Sequence, residues 1–222
     1  MTTALVIGAS RGIGHEFVRQ LLADGWKVFA TARDDAKISE LRTVGAEALK
    51  LDVTVPESLA GLGWQFDDVK LDLALYVAGV YGPRSNAGNA PTREEFDRIM
   101  HTNVLGAMQV IPLVAPQVEA ARGKFVFLSS GMGSIDGTQA GDGWLYRASK
   151  AALNMAIKSA SFDYPKATMA VISPGWVRTD MGGEHAPLAV EDSIGGMLRT
   201  IAALTLKDSG GFYSHNGHQI AW

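Results

Sequence analysis

Tyr146 and Lys150 stand four residues apart in the stretch Trp144-Leu145-Tyr146-Arg147-Ala148-Ser149-Lys150. The residues that follow, Ala151 to Phe162, carry Ala, Leu, Met and Ile at helical spacing. Positions i and i+4 of a helix share one face, with Cβ atoms about 5–6 Å apart. A phenol and an ammonium so placed can form a proton-transfer unit. A free Tyr titrates near about 10, and a cation beside it favours the phenolate and draws that value toward working pH.

Such a pair needs a reactant beside it, and the N-terminal third supplies a candidate. Ala4 to Ile7 is a short apolar run ending in Gly8-Ala9-Ser10-Arg11-Gly12-Ile13-Gly14. Phe17, Val18, Leu21 and Leu22 then recur at helical spacing, Gly25 closes the helix, and Lys27 to Ala32 is strand-like. Strand, glycine turn, helix, strand is the context that gives a glycine fingerprint meaning. Bare backbone there lets a pyrophosphate approach a helix N-terminus, whose free N–H groups and dipole favour an anion. Gly8, Ser10, Arg11, Gly12, Ile13 and Gly14 are therefore candidate dinucleotide contacts.

The second strand runs into Thr31-Ala32-Arg33-Asp34-Asp35. An acidic residue at this edge reads a ribose 2′-hydroxyl, whereas an Arg accommodates a 2′-phosphate. A strand ending at Thr31 or Ala32 puts Arg33 in the reading position, with Arg11 as a second cation, and favours NADP(H). A slip of one or two residues would present Asp34 or Asp35 instead and favour NAD(H). A third strand, Glu47 to Leu51, ends in Asp52-Val53, where a carboxylate and a backbone N–H can receive adenine.

Lys70 to Val77 reads as a fourth strand; its nearly continuous apolar run suits a parallel strand covered on both faces. It ends in Ala78-Gly79, where backbone can again approach a ligand. Thr92 and Glu95 form a capping-box pattern. The helix they open should run past Asn103 to about Val118, disturbed at Pro112 and Pro116. Asn103 favours caps and turns over a helix interior. Lys124 to Leu128 is a fifth strand with Ser129-Ser130-Gly131 at its carboxyl end, where α/β sheets bind ligands. Thr168 to Ile172 is a sixth strand, Met181 to Glu191 a loop that can form a lid, Ser193 to Leu206 a helix, and Phe212 to Trp222 a last strand and tail.

Composition sets the outer bounds. The chain has 222 residues, 47% of them hydrophobic, with 25 Gly and no Cys. The alternating strands and helices predict one α/β domain over residues 1–222, a doubly wound parallel sheet of about seven strands with helices on both faces. The lack of Cys excludes disulfides and thiolate chemistry. A net charge of −3 with no long basic run disfavours nucleic acid as a partner. The five His residues show no metal-ligand spacing, so no metal is expected. No signal peptide and no stretch near the roughly 18 apolar residues of a membrane span are read, so a cytoplasmic protein is the expectation.

Gly8-x3-Gly12-x-Gly14, Asp52, Ala78-Gly79, Asn103, Ser130, Tyr146-x3-Lys150 and Pro174-Gly175 follow one another along this alternation. The set resembles the short-chain dehydrogenase/reductase family over nearly the whole chain. The Ser129–Ile135, Tyr146–Asn154 and Pro174–Gly183 stretches resemble its C-factor and Sniffer-type carbonyl reductase branch.

The resemblance implies a single-domain Rossmann fold and hydride transfer between a nicotinamide and a ketone, aldehyde or secondary alcohol. It implies Tyr146 as general acid/base, Lys150 as the group that lowers its pKa and holds ribose hydroxyls, and Ser130 as hydrogen-bond donor to the substrate oxygen. Ser129 is the alternative to Ser130, which the family motif prefers. Asn103 would hold a water linking Lys150 to solvent. Pro174, Gly175 and Val177 would place the nicotinamide amide, with Thr179 near the phosphates. A homodimer or homotetramer through the helices of Asn103 and Tyr146 is also implied. A dinucleotide-binding regulatory protein with little catalysis is the competing reading.

Two departures stand out. The family usually has Asn-Asn-Ala-Gly where this chain has Tyr76-Val77-Ala78-Gly79. The 16-residue spacing from Ser130 to Tyr146 exceeds the family's usual one. Tyr81, Trp144, Trp176, Met181 and His185 flank the motif ends and are candidate substrate-pocket residues for a hydrophobic or aromatic carbonyl.

Overall fold

The computed structural model describes residues 2–66, 68–83 and 85–222. Its centre is a seven-stranded sheet, wholly parallel, in the order β3-β2-β1-β4-β5-β6-β7. The elements run β1 (Thr3–Ile7), α1 (Gly12–Ala23), β2 (Lys27–Ala32), α2 (Asp35–Thr43), β3 (Glu47–Lys50), α3 (Pro56–Ala60) and β4 (Leu73–Tyr76). They continue as α4 (Arg93–Met100), α5 (Gly106–Ala121), β5 (Lys124–Leu128), α6 (Trp144–Ala160), β6 (Thr168–Ser173), α7 (Val190–Ala203) and β7 (Gly211–Ser214).

Alternation along β1 shows why the sheet is covered on both faces. Leu5 and Ile7 enter one core with Val110, Val114 and Val118 of α5 and Leu153 and Ile157 of α6. Ala4 and Val6 enter the other with Phe17 and Leu21 of α1 and Ile194, Met197 and Ile201 of α7. All five residues of β1 are buried, as expected for a strand sandwiched between helix layers.

The chain crosses from β3 over to β4 on the far side of β1, so the order reverses between β1 and β4. At such a switch point the carboxyl ends of the strands leave a crevice. Gly8 and Ala78 meet there so closely that a Cβ on Gly8 would lie 2.7 Å from the Ala78 nitrogen. Gly14 closes the turn from the other side: its Cβ would fall 2.1 Å from the Gly8 carbonyl oxygen.

Three expectations need correction. The fourth strand is shorter than Lys70 to Val77, because the Leu71 and Asp72 N–H groups bond to the Gln117 and Thr3 carbonyls before the ladder begins. The long helix is disturbed at His101–Leu105, a π-turn, and runs regularly through Pro112 and Pro116. Buried Val110, Ile111, Val114, Ala115 and Val118 dock that proline-bearing segment on the sheet. The last long helix starts at Val190, so it takes in the end of the loop expected at 181–191.

The helical run Arg93–Ala121 is long and apolar enough to cross a membrane, with a mean hydropathy of 1.3 in its most apolar window. The sequence reading found no such stretch. Its buried residues pack in the core beneath the sheet.

Candidate active site

A cleft of about 500 Å³ follows the carboxyl ends of the strands. The glycine turn forms one wall through Gly8, Ser10, Arg11, Gly12, Ile13 and Gly14. The Gly8 N–H donates to Thr31 Oγ1 at 3.1 Å, so β2 helps hold this turn open. Thr31 is a structural member of the site that the glycine motif did not point to.

At the adenosine end β2 stops at Ala32, and Arg33 is the first residue beyond it. Arg33 lines the cleft, whereas Asp34 and Asp35 do not. Asp34 stands before α2 as its N-cap, and Asp35 pairs with Lys50 at 2.9 Å. The register left open in the sequence thus presents the cation. Asp52 and Val53 line the same end, with Asp52 Oδ1 accepting from Thr54 N–H at 2.9 Å.

The floor is built by α6 and the strand ends. Tyr146 and Lys150 both line the cleft, as do Ala78 and Gly79. Lys150 Nζ lies 5.7 Å from the Tyr146 ring centroid and donates to the Leu128 carbonyl at 2.9 Å. Burial governs both groups. It pushes the Tyr146 phenol up to about 12, with a further rise from Tyr81 and an opposing pull from hydrogen bonding to Ser130. Burial also drives the Lys150 ammonium down to about 8. The expected lowering of the phenol by Lys150 does not enter this balance, which burial dominates. Desolvation disfavours both charged forms, and Nζ is turned toward a backbone carbonyl.

Asn103 is fully buried in the π-turn. Its Oδ1 accepts from Val80 N–H at 2.8 Å, and its Nδ2 donates to the Val80 carbonyl and to Ser149 Oγ, each at 2.9 Å. Its side-chain polar atoms are engaged with protein, so the water-holding role does not follow from them. The amide fixes the Gly79-Val80 backbone against α6. Tyr76, in the stretch that departs from the family pattern, ties β4 to the π-turn: its phenol donates to the Thr102 carbonyl at 3.0 Å.

Pro174 and Thr179 line the cleft; Gly175, which is exposed, and Val177, which is buried, do not. Arg11 Nη1 meets Asp180 Oδ2 at 2.7 Å, tying the glycine turn to the segment after β6. Asp180 and Arg178, which also line the cleft, fall in the Pro174–Gly183 stretch of the resemblance, yet the sequence reading gave neither a site role, because the Arg11–Asp180 pairing joins distant segments. Ser130 sits at the end of β5 and accepts from the Met132 N–H at 3.2 Å.

The five candidate pocket residues separate. The Tyr81 ring lies 4.6 Å from that of Tyr146, at 34°. Met181 lines the cleft. Trp176 is exposed beside it, with Nε1 donating to the Gly182 carbonyl at 2.8 Å. Trp144 points elsewhere: at the start of α6 it lines a separate hollow with Met132, Ile135 and Ala148. His185 is exposed and lines neither space. The described residues contain no group of His, Asp or Glu that could hold a metal ion.

Comparison with known proteins agrees with this geometry. A family described as short chain dehydrogenase matches residues 2–187. The Myxococcus xanthus protein named C-signal is 37% identical over 155 residues, covering 68% of this chain and 93% of that one. A 1-hydroxy-2-glutathionyl-2-methyl-3-butene dehydrogenase of Rhodococcus sp. (strain AD45) is 32% identical, with all of both chains covered. Among solved structures, the Drosophila melanogaster carbonyl reductase Sniffer superposes with a TM-score of 0.91 at 29% identity, over 100% of both chains. An NADPH-bound carbonyl reductase from chicken fatty liver does so with a TM-score of 0.90 at 31% identity, over 100% of this chain and 99% of that one. A seven-stranded parallel sheet, a glycine turn at its switch point and a Tyr–Lys pair on the cleft floor accompany these matches, and the chain belongs to the short chain dehydrogenase family of NAD(P)-dependent oxidoreductases.

Proposed function

We propose that this oxidoreductase is an NADP(H)-dependent carbonyl reductase or alcohol dehydrogenase, one catalytic domain over residues 1–222 with a substrate lid at 181–191. The observation that carries the reading is that Tyr146, Lys150, the glycine turn and Arg33 line one continuous cleft. The turn fits a dinucleotide: Gly8 and Gly14 let it close against Ala78 and onto itself, and Gly12, the first residue of α1, brings a helix N-terminus to the cleft.

The nicotinamide, when bound, supplies or accepts the hydride. The chain's own residues do the rest. Arg33, with Arg11, receives the 2′-phosphate, and Asp52 with the Val53 backbone receives the adenine. Pro174, Gly175 and Val177 shape the nicotinamide corner, and Thr179 faces the phosphates. Ser130 donates to the carbonyl oxygen and stabilises its developing charge. Tyr146 gives that oxygen a proton in reduction and takes one in oxidation. A phenol at about 12 is held protonated at neutral pH, the form an acid needs. Lys150, at about 8, is poised to pass a proton on near neutrality.

Tyr81, Met181 and Trp176 surround the reacting end with apolar and aromatic surface, which supports a hydrophobic or aromatic carbonyl as substrate. Exposed Leu105 and Met108 on the π-turn and α5, and Met155 on α6, support a homo-oligomer through these helices. The test is NADPH consumption over a panel of aldehydes and ketones, 4-nitrobenzaldehyde among them. Turnover that disappears in Tyr146→Phe supports the reading. The likeness to C-signal favours a second one, a dinucleotide-binding regulatory protein; tight NADPH binding with no turnover on any carbonyl would favour it.

A further inference from the structure

Tyr146, Lys150 and Asn154 succeed one another at four-residue intervals on α6 and so share a face. Each addresses one residue at the end of β5. Lys150 Nζ donates to the Leu128 carbonyl at 2.9 Å. Ser129 Oγ donates to Asn154 Oδ1 at 2.7 Å. Ser130 acts on the Tyr146 phenol, drawing its pKa down against the rise from burial. Two of these helix residues belong to the proposed proton chemistry, and the third has no part in it.

Asn154 is 2% exposed and uses both ends of its amide. While Oδ1 takes the Ser129 hydroxyl, Nδ2 donates to the Gly133 carbonyl at 3.1 Å. Ser129 immediately precedes Ser130, and Gly133 closes the short turn after it. That turn is pressed onto the helix, since a Cβ on Gly133 would lie 2.9 Å from Lys150 Cβ. One buried amide therefore grips the chain on both sides of Ser130 and references it to the helix that carries Tyr146. A buried amide that loses such partners leaves a hydroxyl and a carbonyl unpaired, and the local chain must shift to satisfy them.

We propose that Asn154 is the positioning residue for Ser130, setting where its hydroxyl stands relative to the Tyr146 phenol. The inference rests on the reading that Ser130 and Tyr146 act together on a carbonyl oxygen. Ser130 tolerates little displacement, because about 1 Å of misplacement at a reacting centre can cost on the order of 100-fold in rate.

The test is a double-mutant cycle on the full-length protein, with NADPH and 4-nitrobenzaldehyde or the best-reduced carbonyl of the panel. Asn154→Ala should lower kcat about 10- to 100-fold while NADPH affinity stays within about twofold. Ser130→Ala should lower kcat about as much or more, since it removes one oxyanion donor. The double variant should be no more than about threefold slower than Ser130→Ala alone, because a residue acting through Ser130 has nothing left to position. Should Asn154→Ala fail to fold, Ser129→Ala cuts the same bond from its other end, and the same non-additivity is expected. Losses that multiply in the double variant, or an unchanged kcat in Asn154→Ala, would overturn the proposal and leave the Ser130 reading standing. An unchanged kcat in Ser130→Ala would overturn both.

Discussion

Two guanidinium groups, Arg11 and Arg33, line the cleft, and they differ in how they are held. Arg11 is paired with Asp180 across the cleft, whereas Arg33 forms no ion pair among the described residues. A 2′-phosphate gains a charge-assisted partner in Arg33 that a 2′-hydroxyl cannot use as well. Arg33→Ala should therefore weaken NADPH binding roughly 10- to 100-fold and NADH binding by no more than about threefold. Fluorescence titration of both reads this directly, and equal losses would count against the 2′-phosphate role.

Lys150 gives a second residue-scale expectation. Burial holds its ammonium at about 8, below its ordinary value of 10.5. Between those values the unfolded chain binds the extra proton, so stability rises with pH across that window. The Tyr146 phenol, held at about 12, works in the opposite direction above its ordinary value of 10.0. From pH 8 to 10 the phenol does not yet oppose, so Lys150 should itself add about 2 kcal/mol, beside a rise of the same sign from Lys124, which burial also draws down. Chemical denaturation at both pH values should show this gain in the native protein and lose it in Lys150→Met. An equal pH dependence in the two proteins would show that Lys150 is not the group responsible.

At the level of elements, the α4–α5 junction decides how Asn103 is presented. The π-turn brings the Thr102 carbonyl to the Tyr76 phenol, and Gly106 makes room for the contact. A Cβ at residue 106 would stand 2.7 Å from Tyr76 Oη and 3.0 Å from the Val53 carbonyl. Gly106→Ala should cost about 1–3 kcal/mol through overpacking. Tyr76→Phe should cost about 1–2 kcal/mol by leaving the Thr102 carbonyl without its donor. With the hydroxyl already removed, Gly106→Ala should cost less than it does alone, which a two-by-two set of thermal melts would reveal. Additive losses would mean that Tyr76 and Gly106 do not share one packing constraint.

The same junction marks the limit of what could be read in advance. Asn103 stood out in the sequence because its residue type suits a turn, yet the π-turn itself has no residue signature. The prolines at 112 and 116 were the stronger local signal for a break, and burial of Val110, Ile111, Val114 and Val118 overrode it.

Across the whole molecule, the parallel sheet was legible because buried strands leave apolar runs and the connecting helices leave a 3.6-residue period. The Gly8–Gly14 turn and the Tyr146–Lys150 pair were legible because local spacing encodes them. Contacts between distant segments were not. Arg11 meets Asp180 across 169 positions, and Asn103 meets Ser149 across 46. Trp144 was misread for a related reason: it adjoins Tyr146 in sequence, but its place at the start of α6 turns it toward another hollow. The proposed oligomer is also a whole-molecule matter. Light scattering on the purified chain should give a mass of two or four copies of 23.6 kDa. A single-copy mass at micromolar concentration would leave Leu105, Met108 and Met155 without the proposed partner.

The central claim is that Tyr146 is the proton donor of an NADPH-dependent reduction, and Tyr146→Phe tests it most directly. The change removes one hydroxyl and keeps the ring against Tyr81. Carbonyl-dependent NADPH oxidation should fall at least about 100-fold, with NADPH affinity nearly unchanged. Near-normal turnover of the same carbonyl by Tyr146→Phe would contradict the account.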